Sequence, residues 1–113
     1  AGVPPVGFAA LGWGMQTGVI KYGKFNWRNT GVTASVFGEA MLRHVLDWLC
    51  GENHAPDTNV HHLAHLMASP AIVLDAELHG VFNDDRDKVN VKTLEQMKNL
   101  LLKDGILNPG IKA

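Results

Sequence analysis

Residues 33–51 read TASVFGEAMLRHVLDWLCG, and this stretch indicates a helical fold. Its apolar residues recur every three or four positions, a period that predicts an amphipathic helix with one face toward a core. Thr33 or Ser35 supplies the N-cap, and Gly51 ends the helix after Cys50. The apolar residues form a predicted core stripe, Leu42, Val45, Leu46 and Leu49, and a neighbouring stripe, Phe37, Met41, His44 and Trp48.

Similar patterns on either side of this helix predict three more helices. They run from about Phe8 to Tyr22, from Asp57 or Thr58 (the N-cap) to His79, and from about Val91 to Lys103. Pro70 lies in the middle of the third helix and is expected to kink it. Residues 26–33 read as a loop because Asn29-Thr30-Gly31 is a turn signal. The 113 residues therefore predict one all-α domain, residues 1–113, of about four helices.

Composition narrows the classes of function. The formal net charge of −1 gives no overall field that would attract duplex nucleic acid. Cys50 is the single cysteine, which excludes an internal disulfide and favours a reducing cytoplasm. No apolar run is long enough to span a bilayer, so no membrane association is expected. Four short helices give a thin core, so we expect a homo-oligomer to complete the fold.

The segment KYGKFNWR, residues 21–28, alternates cations with aromatic rings. Lys21, Arg28 and the later Arg43 can neutralise phosphate, and an arginine does so with a fork of donors. Aromatic rings such as those of Tyr22 and Trp27 can stack on a base. A nucleotide is the simplest ligand that has both a phosphate for the cations and a base for the aromatic rings. The alternative is a solvated loop whose aromatic side chains are tucked into the core.

A second polar cluster follows along the chain. It contains Arg43-His44, Glu52, Asp57 and the motif His61-His62-Leu63-Ala64-His65. Histidines three or four positions apart share a helix face and can bind a divalent metal, to which Glu52 and Asp57 could add carboxylates. The alternative is that these histidines bond backbone carbonyls or carboxylates inside the domain. We expect this cluster and the segment 21–28 to line one cavity.

Arg43 and His44 sit in the middle of the predicted second helix. His44 shares a stripe with Met41 and Trp48, so it is expected to be partly buried, either as a general acid or base or as a core histidine. Arg43 lies between Glu39 and Asp47 at intervals of four, which fits either an exposed charge ladder or a phosphate ligand. The sequence contains no Gly-x-x-x-x-Gly-Lys phosphate loop, Gly-x-Gly-x-x-Gly fingerprint or His-Glu-x-x-His zinc helix.

The ordered set of these residues resembles the largely phage-encoded family named for the N-terminal domain of dATP/dGTP diphosphohydrolase. The matching positions are Lys21, Tyr22, Gly23, Asn26, Trp27, Arg28, Arg43, His44, Trp48, Gly51, Glu52, Asp57, His61, His62 and His65. The chain departs from the family at Ser69-Pro70, and at Gly12, Gly14 and Gln16, where acidic residues are expected. The resemblance implies cleavage of a purine deoxynucleoside triphosphate to monophosphate and pyrophosphate, with a divalent metal, Mg²⁺ or Mn²⁺.

The same resemblance suggests a role for each group of residues. Glu52, Asp57, His62 and His65 would hold the metal, and His44 with Glu52 would act in catalysis. The substrate-binding residues would be Lys21, Tyr22, Asn26, Trp27, Arg28 and Arg43. A phage protein of this kind would work in the host cytoplasm. Two other hypotheses remain open, a protein that binds a nucleotide without turning it over and an interaction module whose last helix docks on a neighbouring subunit.

Overall fold

The computed structural model describes residues 2–103, and this part of the chain is mostly helical. It contains the helices α1 (Pro5–Tyr22), α2 (Trp27–Thr30), α3 (Ala34–Leu49), α4 (His62–Leu78) and α5 (Val91–Lys103). Two short strands, β1 (Val32–Thr33) and β2 (Phe82–Asn83), pair in parallel. The predicted all-α class is confirmed, although the segment predicted as a loop holds a short helix and a short strand. Both predicted domain limits, residues 1 and 113, lie outside the described residues.

Helix α4 is the centre of the fold, because both α1 and α3 pack along it. The contact with α1 is made by backbone at Gly14. A Cβ atom at this position would lie 2.2 Å from the carbonyl oxygen of Ala64 and 3.1 Å from the Cβ of Ala68. Since real Cβ atoms do not approach a carbonyl so closely, only glycine lets the two helices cross here.

The helix starts differ from those predicted. Helix α4 begins at His62, and its N-cap is His61, whose Nδ1 accepts a hydrogen bond from the backbone N–H of Leu63 at 3.0 Å. The prediction of Asp57 or Thr58 as N-cap is wrong, because Asn59 takes a left-handed conformation (φ 57°) that turns the chain before the helix. Helix α3 starts after Thr33 as predicted, but the oxygen that caps it belongs to Asp85, which accepts from the N–H of Ser35 at 2.8 Å.

The buried core is made of small residues. The buried apolar residues in the described part are Val32, Ala55, Ala64, Ala68 and Ala76, and the largest buried side chain is that of His62. The predicted core stripe of α3 is wrong, since Leu42, Leu46 and Leu49 are all at least half exposed. His44 of the neighbouring stripe faces α4 instead, because its ring hydrogen-bonds His62 on that helix.

Helix α5 stands apart from this packing. It makes no extensive contact with another described element, and its apolar residues Val91, Leu94 and Met97 are exposed. The expected homo-oligomer, which would cover such surfaces, stays a prediction. None of the described helices combines the length and the apolar character needed to cross a membrane.

Candidate functional site

A cavity of about 510 Å³ opens between α1, α2, α3 and α4. This volume lies in the range of small-molecule sites. Eight of the residues singled out in the sequence line it, namely Lys21, Tyr22, Asn26, Trp27, Arg43, His44, Asp57 and His65. The cationic-aromatic segment and the later histidine cluster therefore border one cavity, as expected. Glu52, Arg28 and His62 do not line it.

One wall of the cavity is a face of α1 that includes two glycines and so has little side-chain volume. Gly14, Gly18 and Lys21 follow one another at intervals of four and three, so they share this face. A side chain at Gly18 would meet nothing within 4 Å, so the glycine leaves open space beside the cavity. The ammonium of Lys21 lies 3.9 Å from a carboxylate oxygen of Asp57, and both side chains are exposed. Lys21 is thus free to exchange this partner for a phosphate.

Arg43 supplies the second cation of the lining. Among the described side chains it makes no ion pair with Glu39 or Asp47, so the predicted charge ladder does not form. Its position beside the cavity agrees with the other prediction, that of a phosphate ligand. Binding itself stays a prediction.

Arg28 is engaged elsewhere. Its Nε and Nη2 donate hydrogen bonds to the two carboxylate oxygens of Asp75 at 2.9 and 2.8 Å. The indole Nε1 of Trp27 donates to the same carboxylate at 2.7 Å. These bonds hold the pKa of Asp75 well below its usual range, Arg28 having the largest effect. A phosphate-binding role for Arg28 therefore has no support from its position.

Three histidines and an acid form a connected chain beside the cavity. His62 is 2 % exposed; its Nε2 lies 2.7 Å from Oε1 of Glu52, and its Nδ1 lies 2.9 Å from Nδ1 of His44. The ring of His44 stacks on that of His65, with centroids 4.9 Å apart. Nε2 of His65 in turn lies 2.8 Å from the hydroxyl oxygen of Thr58. The buried His62 thus connects an exposed acid to a ring at the cavity wall.

The chemistry of the two cavity histidines follows from this packing. Burial lowers the pKa of His44, and the neighbouring His62 lowers it further. Burial likewise lowers the pKa of His65, with a second contribution from His44. Both imidazoles are therefore neutral near pH 7, and a neutral imidazole offers one donor and one acceptor nitrogen.

A group that could hold a metal ion lies behind His44. One donor atom each from Asp47, Glu52 and His62 lies within 4.8 Å of the others. The predicted set of four ligands is divided, because Asp57 and His65 lie at the cavity beside Lys21 and Thr58. Two carboxylates and one imidazole suit a divalent ion such as Mn²⁺, so the chemistry of the donors fits a metal.

Sequence reasoning missed the parts played by Asp47 and Asp75. The spacing of Asp47 suggests only a partner for Arg43 in an exposed charge ladder, one of two alternatives, although Asp47 follows His44 by one helical turn and precedes Glu52 by five residues. Asp75 lies 47 positions from Arg28, and no local pattern connects residues so far apart. A spacing of three or four along one helix signals a shared face, whereas a contact between helices leaves no such signal.

Comparison with known proteins identifies one family. The family model described as dATP/dGTP diphosphohydrolase, N-terminal, matches residues 1–86. No curated protein and no solved structure matches the chain.

Proposed function

Because the chain belongs to the dATP/dGTP diphosphohydrolase N-terminal family, we propose that it binds a purine deoxynucleoside triphosphate in the cavity and hydrolyses it. The products would be the monophosphate and pyrophosphate. The observation that carries the proposal is the convergence of cations, aromatic rings and neutral imidazoles on one cavity. Such a reaction requires access to nucleotides, so we also propose a cytoplasmic site of action, in the host if the chain is phage-encoded.

The binding step uses the cations and the aromatic wall. Lys21 and Arg43 would contact the phosphates, because they are the cations that line the cavity. Tyr22 and Trp27 would offer ring surface to the base, and the side-chain amide of Asn26 would offer a donor and an acceptor to its edge. Asp57 would release Lys21 when the phosphates arrive, since the two charged groups are exposed and only loosely paired.

The hydrolytic step would use His44. Nε2–H of His62 donates a hydrogen bond to Glu52, so Nδ1 of His62 carries a lone pair. This Nδ1 accepts a hydrogen bond from Nδ1–H of His44. Nε2 of His44 is then the nitrogen that carries a lone pair. This nitrogen can accept a proton from a water molecule as the water oxygen attacks the α-phosphorus. The bond from the α-phosphorus to the bridging oxygen then breaks, and pyrophosphate leaves.

A divalent metal would be held by Asp47, Glu52 and His62. It would supply positive charge there, and because these three residues lie outside the cavity lining it would influence the ligand only through His62 and His44. With Nε2 of His62 used in this way, Nδ1–H of His62 would donate to His44, and His44 would keep its own proton on Nε2. His44 would then donate a hydrogen bond to a phosphate oxygen. His44 would thus act on the ligand in either state, as an acceptor without the ion and as a donor with it.

The test is turnover of dGTP and dATP with Mg²⁺ or Mn²⁺, followed by quantifying monophosphate and pyrophosphate. We expect both products in equal amounts. His44→Gln should lower kcat by about 100-fold, the usual contribution of a general acid or base. His54→Gln is the matched control, because His54 does not line the cavity, and it should retain full activity. Equal activities of the two variants would rule out the proposed role of His44.

A second candidate is a protein that binds the nucleotide without turnover. Asp57 is the one carboxylate among the described residues that line the cavity, and the possible metal group lies outside that lining. This arrangement favours capture of an anion over metal-assisted chemistry. Tight binding of dGTP with no product under either metal would select this candidate, and loss of binding in Arg43→Gln would connect it with the same cavity.

A further inference from the structure

The side chains of Trp27, Arg28 and Asp75 form a unit that we call the Asp75 latch. Its three hydrogen bonds, of 2.7 to 2.9 Å, join the short helix α2 to the last turn of α4. The latch connects positions 47 and 48 residues apart. Its carboxylate belongs to α4, so the latch fixes a cavity wall to the helix on which α1 and α3 pack.

The paired donors of the latch cation are occupied. Arg28 offers two parallel N–H groups to one carboxylate, the geometry that gives arginine its strongest pairs. The carbon atom of its guanidinium also lies 4.0 Å from the centre of the Phe25 ring. A phosphate could take these two N–H groups only by displacing Asp75. Arg28 therefore supports the wall and does not face the cavity.

The polar group of the Trp27 indole is also used by the latch. The side chain of tryptophan has one polar group, the Nε1–H, and it is donated to Asp75. Trp27 nevertheless lines the cavity. The part of its side chain that borders the cavity can therefore offer only the carbon surface of the rings.

We propose that Asp75 is a positioning residue that holds Trp27 so that its ring, and not its N–H, meets the ligand. This wall selects a ligand that has a flat aromatic base, which Trp27 recognises by stacking. The ligand part of this inference rests on the proposed function, whereas the positioning part does not. Arg28, which sequence patterns suggest as a phosphate ligand, acts through Asp75 instead.

The first experiment measures dGTP affinity by calorimetry. Asp75→Asn should raise Kd by about tenfold, the loss expected when one stacked base contact is misplaced. Asp84→Asn is the matched control, because Asp84 holds Arg86 in the same two-bond geometry, whereas Arg86, unlike Trp27, does not line the cavity. It should leave Kd within about twofold of wild type. Equal Kd values for Asp75→Asn and wild type would overturn the proposal.

A double-mutant cycle separates support from direct contact. Arg28→Gln and Asp75→Asn remove the same latch, so the double variant should bind dGTP no more weakly than either single variant. If the two losses add, Arg28 contacts the ligand itself and the proposal is wrong. Trp27→Phe keeps a ring but removes the N–H, so its Kd should stay within about threefold of wild type, whereas Trp27→Leu should lose about tenfold. Equal losses in these two variants would exclude stacking, and both can be measured even if Asp75→Asn does not fold.

A third readout needs no nucleotide. The indole N–H of Trp27 gives an NMR signal whose exchange with water should be slow in wild type and in Asp84→Asn but fast in Asp75→Asn. Fast exchange in wild type would overturn the latch itself. Slow exchange in a protein that binds neither dGTP nor dATP would uphold the positioning role and reject the proposed function, so the two failures are distinguishable.

Discussion

Helices α1, α3 and α4 pack together, whereas α5 stands alone, and the family match stops near the boundary between these two regions. The match covers residues 1–86, and the last element that packs against α4 is β2 at residues 82–83. In the first region the helices meet through glycine, alanine and hydrogen-bonded polar side chains. Helix α5 instead makes no extensive contact with another described element. The chain thus has two kinds of helix. Helices α1, α3 and α4 are held by close specific contacts, whereas α5 is identified by the helical period of its own apolar residues.

This difference implies that the two regions respond differently to substitution. Where the backbones touch, a single added methyl group has no space, because packed interiors resist overfilling. Where a helix stands apart, even its removal costs the remainder little.

Replacing Gly14 should damage the packed region most. Gly14→Ala places a methyl group 2.2 Å from a backbone oxygen of α4, which should lower the free energy of unfolding by about 3 kcal/mol. Gly12→Ala is the matched control on the same helix, with nothing within 4 Å, and should raise it by about 0.5–1 kcal/mol through helix propensity. Urea denaturation measures both. Similar effects in the two variants would contradict the close crossing.

Replacing His62 should have the next largest effect. His62→Phe keeps a buried ring but leaves His44 and Glu52 without their partner, so unfolding should become easier by about 2 kcal/mol. His54→Phe, at an exposed position, should change it by less than about 0.5 kcal/mol. A stabilising effect of His62→Phe, read from the same urea curves, would mean that the buried hydrogen bonds contribute nothing net.

Asp85 joins the segment after β2 to the start of α3 and gives a dependence on pH. Hydrogen bonds from Ser35 lower the pKa of Asp85, so its charged form is favoured in the folded state. Its stabilisation is fully present above the unfolded value of 3.8 and is lost as the pH falls through the lower folded value. Asp85→Asn should therefore lower Tm at pH 7, and the difference from wild type should shrink as the pH falls below about 4. A difference that grows in acid would contradict the sign.

Removing α5 should have the smallest effect on stability. A chain that ends at Asn90 keeps Asp85 and every element of the described part, residues 2–103, that packs against α4, so its free energy of unfolding should stay within about 0.5 kcal/mol of that of the full chain. If α5 supplies the contact of the expected homo-oligomer, the shortened chain should also sediment as a smaller species. Loss of cooperative unfolding on truncation would show that α5 belongs to the packed region.

The sequence predicted the helices better than their faces. Periodicity located α3 and α5 to within two residues, because side-chain spacing on a helix is a local property. It selected the wrong core stripe on α3, since Leu42 and Leu46 are more apolar than the stripe of His44, which turns inward to bond His62. The hydrophobicity of a sequence does not reveal that a buried histidine has a hydrogen-bond partner on another helix.

The candidate site likewise has a part that the sequence predicts and a part that it does not. Part of its cavity lining was predictable, because Lys21, Trp27 and His65 stand out in their motifs by residue type. The partners that fix these side chains were not, since the carboxylate of Asp75 and the proximity of Asp47 to His62 arise from the packing of α4. Arg28 illustrates the limit, because the same guanidinium can bind a phosphate or a carboxylate and only the fold decides which.

The position of Cys50 makes the possible metal group directly measurable. This side chain is the only thiol of the chain, it is exposed, and it lies two residues from Glu52. A nitroxide spin label attached to it would sit close to Asp47, Glu52 and His62 without any change elsewhere in the sequence. Manganese bound at that group would broaden the spectrum of the label, so paramagnetic resonance reads out where the ion resides in the native chain.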